Sequence, residues 1–254
     1  MNPKLVTAVI PIRNAEGKTS GLREAIKKQS GMSYVLVFDS CIDQTVNEFR
    51  EILESRDAYH VRVLIGNYGS PGFARNAGLE EVKSDWVVFW DADDVPDPEV
   101  LLKTVKSLNQ VKIEMIVTQY NRSLYNSNQS PVSNSRTYSK FVLALDPGIW
   151  RIIFKVNNAK RFRFEEFRMG EDQCFIAQFM TSKPRIVFSR ATTYSYFQGV
   201  PGQLTSNKTA KTDLKLTFFV LVKLIIKNRD NRFFLATMAL RQSLGIFKQL
   251  LNIH

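Results

Sequence analysis

The sequence predicts an α/β protein with a mostly parallel central sheet and helices on both faces of that sheet. Short apolar runs alternate with helix-like segments between residues 6 and 120, as expected when a crossover helix follows each strand. The run Trp86–Trp90 is apolar at every position, which is typical of a strand buried on both faces. Polar side chains directly follow three of the runs, and ligands bind at that end of the strands in open α/β sheets.

The elements of this first half can be placed in order along the chain. Five runs rich in β-branched or aromatic residues predict strands, at Val6–Ile12, Tyr34–Phe38, Val61–Ile65, Trp86–Trp90 and Ile113–Tyr120. Helices are expected between them, at Ser20–Gln29, Thr45–Ser55 and Gly72–Val82 and from Asp97 onward. Pro98 in the first turn of the last helix, with acidic residues beside it, is typical of a helix start.

The pattern is weaker after Tyr120. Residues 121–140 are rich in Ser and Asn and have no clear period, which predicts a loop. Residues 141–156 are apolar and are expected to be helical in part. After Gly170, a helix is expected from Glu171 to Met180, followed by short strands at Arg185–Phe188 and Thr192–Phe197.

Length and cysteine content limit the class of protein. A chain of 254 residues can bury a sizeable core, as one large domain or as one domain with an appendage. Cys41 and Cys174 are far apart and form no CxxC pattern, so neither a zinc site nor a disulfide framework is supported. The apolar run Leu5–Ile12 is short and contains Pro11, unlike a signal peptide. We expect a cytoplasmic protein.

The net charge of +11 is unevenly distributed. Residues 1–100 carry 11 basic and 16 acidic residues, residues 101–204 carry 15 and 6, and residues 205–254 carry 9 and 2. A basic second half suits either a nucleic acid or an anionic membrane surface. Charge alone does not decide between these two partners.

Residues 205–254 predict a basic amphipathic helical extension. The apolar stretch at 214–226 is too short to span a bilayer. A mostly apolar stripe then recurs three or four positions apart, at Phe233, Thr237, Leu240, Leu244, Phe247 and Leu251. Such a helix pair could lie on the inner face of an anionic membrane as a peripheral protein. It could equally pack on the main domain or form a dimer contact.

Three strand ends carry the candidate functional residues, at Pro11–Asn14, Asp39–Asp43 and Asp91–Asp94. A parallel sheet brings all three to one edge. Asp91 and Asp93 could share Mg²⁺ or Mn²⁺ and leave coordination sites for phosphate oxygens, which implies a diphosphate ligand. Simpler alternatives exist: an Asx turn for Asp39 and a helix cap for the acidic loop. Arg75 could bind a phosphate or a uracil carbonyl, although a lone arginine is more often an ion-pair partner.

The sequence argues against two classes of nucleotide-binding protein and against one catalytic mechanism. The first strand is not followed by GxGxxG, and there is no GxxxxGK[ST] loop, which argues against dinucleotide-binding and P-loop proteins. The two histidines, His60 and His254, lie outside every candidate site, so a histidine-dependent mechanism is not expected.

Six segments carry a resemblance to a known family. They are VIPIRNAE at 9–16, FDSCIDQT at 38–45, PGFARNAGL at 71–79, VVFWDADD at 87–94, IWRIIFK at 149–155 and GEDQCF at 170–175. By these segments, in this order, the chain resembles family two glycosyltransferases, which are inverting enzymes with the Rossmann-like GT-A fold. The resemblance covers roughly residues 5–200 and rests on the whole set rather than on any single motif.

The resemblance implies a role for each segment. Residues 1–204 would form the catalytic domain, with the nucleotide sugar in 1–120 and the acceptor in 121–204. The residues bordering the nucleotide sugar would be Pro11, Arg13, Asn14, Asp39, Arg75, Asp91, Ala92 and Asp93. Asp91 and Asp93 would hold Mn²⁺ or Mg²⁺, with Asp93 favoured for direct contact. Asp172 would be the general base, with Trp150 and Glu171 on the acceptor side.

Departures from the family pattern bear on specificity. Arg13 stands where relatives often have an aromatic residue, and Phe38 where they often have a second carboxylate. Phe197 stands where relatives often have an arginine near the diphosphate, which leaves Arg13, Lys208 or Lys211 as possible substitutes. The Gln-x-x-Arg-Trp motif of processive synthases does not follow Asp172. We therefore expect transfer of single sugars, with UDP as the default nucleotide.

The expected enzyme is a metal-dependent hexosyltransferase. Its partners would be a nucleotide-sugar donor and a saccharide or lipid-linked acceptor of surface polysaccharide or glycolipid synthesis, without nucleic acid. A nucleotidyltransferase is an alternative, although it usually needs a basic glycine-rich loop after the first strand, and Arg13–Gly17 is a poor one. A non-catalytic nucleic-acid-binding protein is a second alternative, and it predicts salt-sensitive binding to DNA or RNA.

Overall fold

The computed structural model describes residues 4–28, 31–55, 58–108, 112–125, 131–134, 139–202 and 213–250. The strands are β1 (Val6–Ile12), β2 (Ser33–Asp39), β3 (Val61–Gly66), β4 (Trp86–Phe89), β5 (Val95–Pro96), β6 (Met115–Leu124), β7 (Val132–Asn134), β8 (Ile152–Lys155) and β9 (Ile186–Gln198). The helices are α1 (Ser20–Lys28), α2 (Thr45–Glu48), α3 (Arg50–Leu53), α4 (Pro71–Glu80), α5 (Pro98–Leu108), α6 (Lys140–Leu145), α7 (Val156–Ala159), α8 (Glu171–Thr181), α9 (Asp213–Lys227) and α10 (Arg232–Leu250). Short 3₁₀ helices cover Ala58–His60 and Ile149–Arg151.

The described strands form one sheet in the order β3-β2-β1-β4-β8-β6-β9-β5, with β7 paired to β6. The four strands β3, β2, β1 and β4 run parallel, which confirms the predicted parallel half. Their register pairs Ile12 with Phe38 and Asp39 with Gly66. The loops after β1, β2 and β4 therefore leave the sheet at the same edge.

The second half of the sheet departs from the prediction in three places. Residues 141–156 are helical in part, at α6 and at the 3₁₀ helix Ile149–Arg151, but they also form β8, a strand that was not predicted and that lies antiparallel between β4 and β6. Pro147 and Gly148 follow the helix end, and the β-branched Ile152 and Ile153 suit a buried strand. The two short strands expected after residue 185 are the single strand β9. Strand β6 continues to Leu124, into the stretch predicted to be a loop.

The helix predicted at Thr45–Ser55 is interrupted. It divides into α2 and α3 at Phe49, whose fully buried ring packs edge-on against Phe38 with 5.5 Å between centroids. Burial of this aromatic side chain fixes the chain at the point where the helix breaks.

Helices cover both faces of the sheet, as predicted. One buried cluster lies under α1 and α5, and the other lies under α4, α8, α9 and α10. In the second cluster Phe164 stacks on Phe175 at 4.2 Å and meets Phe89 edge-on at 4.9 Å. Because Phe89 is the last residue of β4, these rings fix the strand that leads to Asp91.

The two C-terminal helices pack on the rest of the molecule through their inner faces. Leu221, Phe234, Leu235 and Met238 belong to the same buried cluster as Phe89. Along the predicted apolar stripe, Thr237 is buried whereas Phe233, Leu240 and Leu244 are exposed. The Phe247 side chain and Leu251 lie outside the described residues. Within the described part of the chain, no helix has both the length and the apolar character needed to cross a bilayer.

Candidate active site

A cavity of about 790 Å³ opens at the carboxyl edge of the parallel strands. The ends of β1, β2 and β4 and the start of α8 meet there. The predicted site residues all line it: Pro11, Arg13, Asn14, Asp39, Arg75, Asp91, Ala92, Asp93, Trp150, Glu171 and Asp172. The expected convergence of three strand ends on one pocket is therefore present.

Asp39 is held by a distant loop. One carboxylate oxygen, Oδ1, accepts hydrogen bonds from the backbone N–H groups of Tyr68 at 2.7 Å and Gly69 at 3.2 Å. Gly69 has a φ of +77°, which favours glycine. The other oxygen, Oδ2, lies 3.4 Å from Nη1 of the half-exposed Arg13. Asp39 thus shapes the turn before α4 as well as the cavity wall.

Asn14 ties two of the loops together. Its side-chain Oδ1 accepts a hydrogen bond from the Ile42 N–H at 3.0 Å. Asn14 and Ser40 have φ values of +43° and +49°, a region that asparagine tolerates better than most residues. The loop after β1 is therefore fixed to the loop after β2.

The cavity floor is an ion-pair network centred on Arg75. Its Nη1 donates to Glu171 Oε1 at 2.6 Å and its Nη2 donates to Asp91 Oδ1 at 2.7 Å. The guanidinium also lies 5.6 Å from the centroid of the Phe164 ring. Because only 5% of Arg75 is exposed, its main contact is with these carboxylates, which was the simpler alternative for this residue. Contact with a nucleotide stays a prediction.

The network shifts the pKa values of its members. Burial by itself lowers the pKa of Arg75, but the charges of Asp91 and Glu171 outweigh burial and raise that pKa. Burial raises the pKa of Glu171 to about 7, although the Arg75 charge opposes the shift. Burial also raises the pKa of Asp172, again against the Arg75 charge. Such shifts are common at functional sites.

The three carboxylates after β4 differ in their surroundings. Asp94 is buried, accepting hydrogen bonds from the Tyr194 hydroxyl and the Phe197 N–H, each at 2.8 Å. Burial, with the nearby Asp91 and Asp93 charges, raises its pKa well above the usual value. Asp91 and Asp93 line the cavity instead. Asp94 therefore orients the loop that presents the other two.

The residues present fit a metal that is shared with a ligand. Among the described residues, no cluster of three or more His, Cys, Asp or Glu side chains could hold an ion alone. Asp91 and Asp93 offer carboxylate oxygens at the cavity wall, and Mg²⁺ and Mn²⁺ prefer such hard donors. A cation here would need further oxygens from its ligand, as a diphosphate provides.

An aromatic wall faces these carboxylates, and the sequence prediction identified only Trp150 in it. Trp150 stacks on Tyr194 at 4.8 Å and on Tyr196 at 5.4 Å, and meets Tyr120 edge-on at 4.4 Å. Burial raises the pKa of Tyr196 to about 12. Residues two apart on a strand share a face, so the Tyr-Ser-Tyr pattern of β9 was an available signal.

A second buried arginine, Arg151, supports this wall from behind. Its Nη2 donates to the backbone oxygen of Asp146 and lies 3.5 Å from the Asp146 carboxylate. The Tyr120 hydroxyl donates to the same carboxylate at 2.8 Å. Burial lowers the pKa of Arg151. These contacts fix the segment that carries Trp150.

Helix α10 contributes a cation to the cavity. Arg241 lines it and donates from Nη1 to Gln173 Oε1 at 2.9 Å, next to Asp172. Arg122 and Arg168 also line the cavity. No sequence spacing indicates that Arg241 lies here, because 68 residues separate it from Gln173. Lys208 and Lys211, suggested as substitutes for the arginine missing at Phe197, lie outside the described residues.

Gly170 sets the start of α8. Its φ is +91°, and an added Cβ would lie 2.2 Å from Thr217 Oγ1 of α9. Only glycine allows this close approach together with the left-handed backbone. Helix α9 therefore lies directly against the residue that precedes Glu171 and Asp172.

Comparisons with known proteins place these residues in a family. The sequence model of the family described as glycosyl transferase family 2 matches residues 7–179. The poly(ribitol-phosphate) beta-N-acetylglucosaminyltransferase TarS of Staphylococcus aureus is 24% identical over 242 residues, covering 88% of this chain and 41% of TarS. An uncharacterized glycosyltransferase of Haemophilus influenzae is 23% identical over 216 residues, covering 82% of this chain and 84% of that protein. This chain thus spans about two fifths of TarS.

Solved structures share the fold. The crystal structure of S. aureus TarS 1-349 in complex with UDP-GlcNAc has a TM-score of 0.77 at 19% identity, covering 93% of this chain and 72% of that chain. The mannosyltransferase PcManGT from Pyrobaculum calidifontis in complex with GDP-Man and Mn²⁺ has a TM-score of 0.71 at 15% identity, covering 94% of this chain and 70% of that chain. At these identities the likeness concerns the fold.

Proposed function

This chain belongs to glycosyl transferase family 2 and has the GT-A fold, and from that premise we propose that it transfers a single sugar from a nucleoside diphosphate sugar to an acceptor hydroxyl with inversion. One observation carries the proposal. Asp39, the Asp91 and Asp93 pair, and Asp172 come from three distant parts of the sequence and line one cavity. The proposed donor site, metal site and base would thereby be adjacent.

The donor is proposed to lie along residues 1–120 and the acceptor along 121–204. TarS 1-349 was crystallised with UDP-GlcNAc and PcManGT with GDP-Man and Mn²⁺, so neighbours with this fold accommodate different nucleotides. We propose UDP as the default. The acceptor is proposed only as a class, a saccharide or lipid-linked sugar of surface polysaccharide or glycolipid synthesis.

Asp91 and Asp93 would hold the cation, with Asp93 proposed for direct contact, and Asp91 also pairs with Arg75. Bound Mn²⁺ or Mg²⁺ supplies positive charge that stabilises the departing diphosphate. Arg75 keeps the Asp91 carboxylate oriented and limits the repulsion between the acidic groups of the floor.

Asp172 is the proposed general base. Glu171 is held by Arg75 at 2.6 Å, whereas Asp172 accepts a hydrogen bond from the Gln173 N–H at 2.7 Å and lines the cavity. Its raised pKa makes it a better proton acceptor than an exposed aspartate. It would take the acceptor hydroxyl proton as the oxygen attacks the anomeric carbon opposite the leaving diphosphate. Attack on that face inverts the anomeric centre.

The loop after β1 argues against a nucleotidyltransferase. Such an enzyme would use backbone N–H groups of this loop to bind a triphosphate. The N–H groups of Ala15 and Gly17 instead donate to Thr45 Oγ1 at 2.7 Å and Glu48 Oε1 at 2.6 Å. These donors already have acceptors within the protein and are not available to a triphosphate. This favours the glycosyltransferase over the nucleotidyltransferase.

Calorimetry tests the donor site. UDP-, GDP-, CMP- and dTDP-sugars are titrated into the protein with and without Mn²⁺. We expect Mn²⁺-dependent binding of one class, at least tenfold weaker in Asp93→Asn. Asp85→Asn, at a surface carboxylate paired with Lys155, is the matched control and should bind normally. Unchanged binding by Asp93→Asn would remove the metal role from Asp93.

Turnover tests the base. Asp172→Asn should bind the donor normally, while release of the nucleoside diphosphate in the presence of saccharide acceptors falls by on the order of a hundredfold or more. Undiminished turnover would exclude Asp172 as the base. Salt-sensitive binding to DNA or RNA without binding of any nucleotide sugar would instead favour the nucleic-acid alternative.

A further inference from the structure

The exposed faces of α9 and α10 have an unusual composition. In α9 the exposed residues from Lys215 onward are Lys215, Leu216, Phe219, Lys223, Ile226 and Lys227. In α10, between Arg232 and Leu244, they are Arg232, Phe233, Ala236, Leu240 and Leu244. We call these residues together the outer face. A helix face in water usually carries charges of both signs, whereas this one has only apolar and basic side chains.

The apolar residues of the outer face are large and well exposed. Phe219, Ile226 and Phe233 are 66%, 70% and 72% exposed, and Leu240 is 62% exposed. Phe141 of α6 stacks on Phe233 with 5.9 Å between centroids and is itself half-exposed, so the apolar surface continues onto α6. A grouped apolar surface of this kind marks an interaction site more often than scattered exposed residues do.

The inner faces of the same helices show that the exposure is not a result of loose packing. Leu221 and Leu235 are fully buried, and Thr217 packs against Gly170 at the start of α8. Both helices are therefore fixed to the molecule, with one face used for folding and the opposite face left open.

The acidic residues of this segment have partners within the protein. The only acidic residues in the sequence from 205 to 254 are Asp213 and Asp230. Asp213 accepts a hydrogen bond from the Arg168 N–H at 2.8 Å, and Asp230 pairs with Lys183. Within the described part of the chain, the basic side chains of the outer face form no ion pair with a carboxylate. Their positive charge therefore remains available to an anionic partner.

We infer that the outer face docks on an anionic lipid bilayer, lying in the interface rather than crossing it. Exposed aromatic and aliphatic side chains would enter the region between headgroups and acyl chains, while the lysines and Arg232 contact anionic headgroups. A second copy of this chain is disfavoured as the partner, because an outer face with only positive charges would meet the same charges on its copy.

The position of the outer face relates it to the cavity. Leu240 belongs to the outer face, and the next residue, Arg241, lines the cavity beside Gln173. Docking would therefore hold the Asp172 side of the cavity near the bilayer surface. This consequence rests on the proposed function and indicates a lipid-linked acceptor, whereas docking itself does not depend on it.

Co-sedimentation with vesicles tests the inference. The full chain is mixed with vesicles of phosphatidylcholine alone or with about 30% phosphatidylglycerol. We expect binding to the anionic vesicles, reduced at least tenfold in Phe219→Glu/Ile226→Glu and weakened by salt. Ile65→Glu is the matched control, since Ile65 is 71% exposed on the edge strand β3, and it should bind as the unmodified protein does. Asp93→Asn should also bind normally.

Each outcome decides the inference. No binding to anionic vesicles, or binding unchanged in Phe219→Glu/Ile226→Glu, would overturn it. An equal loss of vesicle binding in Ile65→Glu would also overturn the inference, because binding would then not depend on the outer face. A concentration-dependent dimer that this double variant disperses would assign the surface to a second copy. Nucleotide-sugar calorimetry on the same double variant should be unchanged, so failure of docking and failure of the proposed transferase are distinguishable.

Discussion

Two arginines are buried at the cavity, Arg75 in its floor and Arg151 behind its aromatic wall, and they are held in different ways. Arg75 joins carboxylates that lie 16 and 96 residues away in the sequence, on the loop after β4 and on α8. Arg151 is held five residues away, by the backbone and carboxylate of Asp146, with its guanidinium 5.1 Å from the Tyr120 ring. Acidic surroundings raise the pKa of Arg75, whereas burial lowers that of Arg151.

The difference indicates what each arginine does. Arg75 neutralises the acidic floor and links the proposed donor and acceptor sides of the cavity. Arg151 fixes a local turn that presents Trp150. Removing Arg75 should leave the buried Glu171 carboxylate without its cation. Removing Arg151 instead leaves the Asp146 carboxylate, which is 30% exposed and can be hydrated.

The largest effect is expected from Arg75→Met. Glu171 would remain buried without its partner, and we expect a loss of about 3–5 kcal/mol in the free energy of unfolding, measured by urea denaturation. Adding Glu171→Gln removes the stranded charge and should restore part of the stability. Arg163→Met, at an exposed arginine paired with Glu80, should change stability by no more than about 0.5 kcal/mol. A small effect of Arg75→Met would contradict the bridging role.

Arg151→Met should have a smaller effect. It loses a hydrogen bond to a backbone oxygen and an ion pair with a partly exposed carboxylate, so we expect a loss of about 1.5–3 kcal/mol in the free energy of unfolding in the same urea measurement. Donor binding should persist, because no residue of the acidic floor loses a partner. If Arg151→Met destabilised the protein as much as Arg75→Met, the distinction between a bridging and a local arginine would be wrong.

The pH dependence of turnover tests the assignment of Asp172 as the base. A base acts when deprotonated, and burial raises the pKa of Asp172. Turnover should therefore fall as pH drops through a value above the roughly 3.9 of an exposed aspartate, by about tenfold per pH unit below it. Arg151→Met should keep this profile. Arg75→Lys keeps a cation beside the carboxylates, so any change in its pH profile should be small. If turnover instead fell only at the pKa of an ordinary exposed aspartate, Asp172 would not be the base.

The smallest effect is expected from Asp94→Asn. Asp94 lies one residue from Asp93, but it accepts hydrogen bonds from Tyr194 and Phe197 inside the protein. An amide can replace only one of the two acceptor oxygens, so we expect a cost of about 1 kcal/mol in stability. Mn²⁺-dependent nucleotide binding should persist. If Asp94→Asn lost Mn²⁺-dependent binding as strongly as Asp93→Asn, Asp94 would belong to the proposed metal site.

The sequence predicted most of the fold and part of the polar lining of the cavity. The parallel half was readable because strand and helix periodicities are local, and because parallel strands bring their carboxyl ends to one edge. Strand β8 was missed, since a short apolar run with no alternation does not distinguish a buried strand from a helix.

Among the predicted cavity residues, Arg75 lies inside α4 and Trp150 in a 3₁₀ helix. The sequence by itself determined that most of the others meet at the cavity edge, because they lie at the end of a strand or the start of a helix. Only the tertiary structure decided which partners they have. It directs Asp94 inward and leaves Asp91 and Asp93 at the cavity, joins Arg75 to Glu171, and brings Arg241 from α10 beside Gln173. Such contacts depend on how separate elements pack, and no periodicity in a single chain records the distance between side chains far apart in sequence.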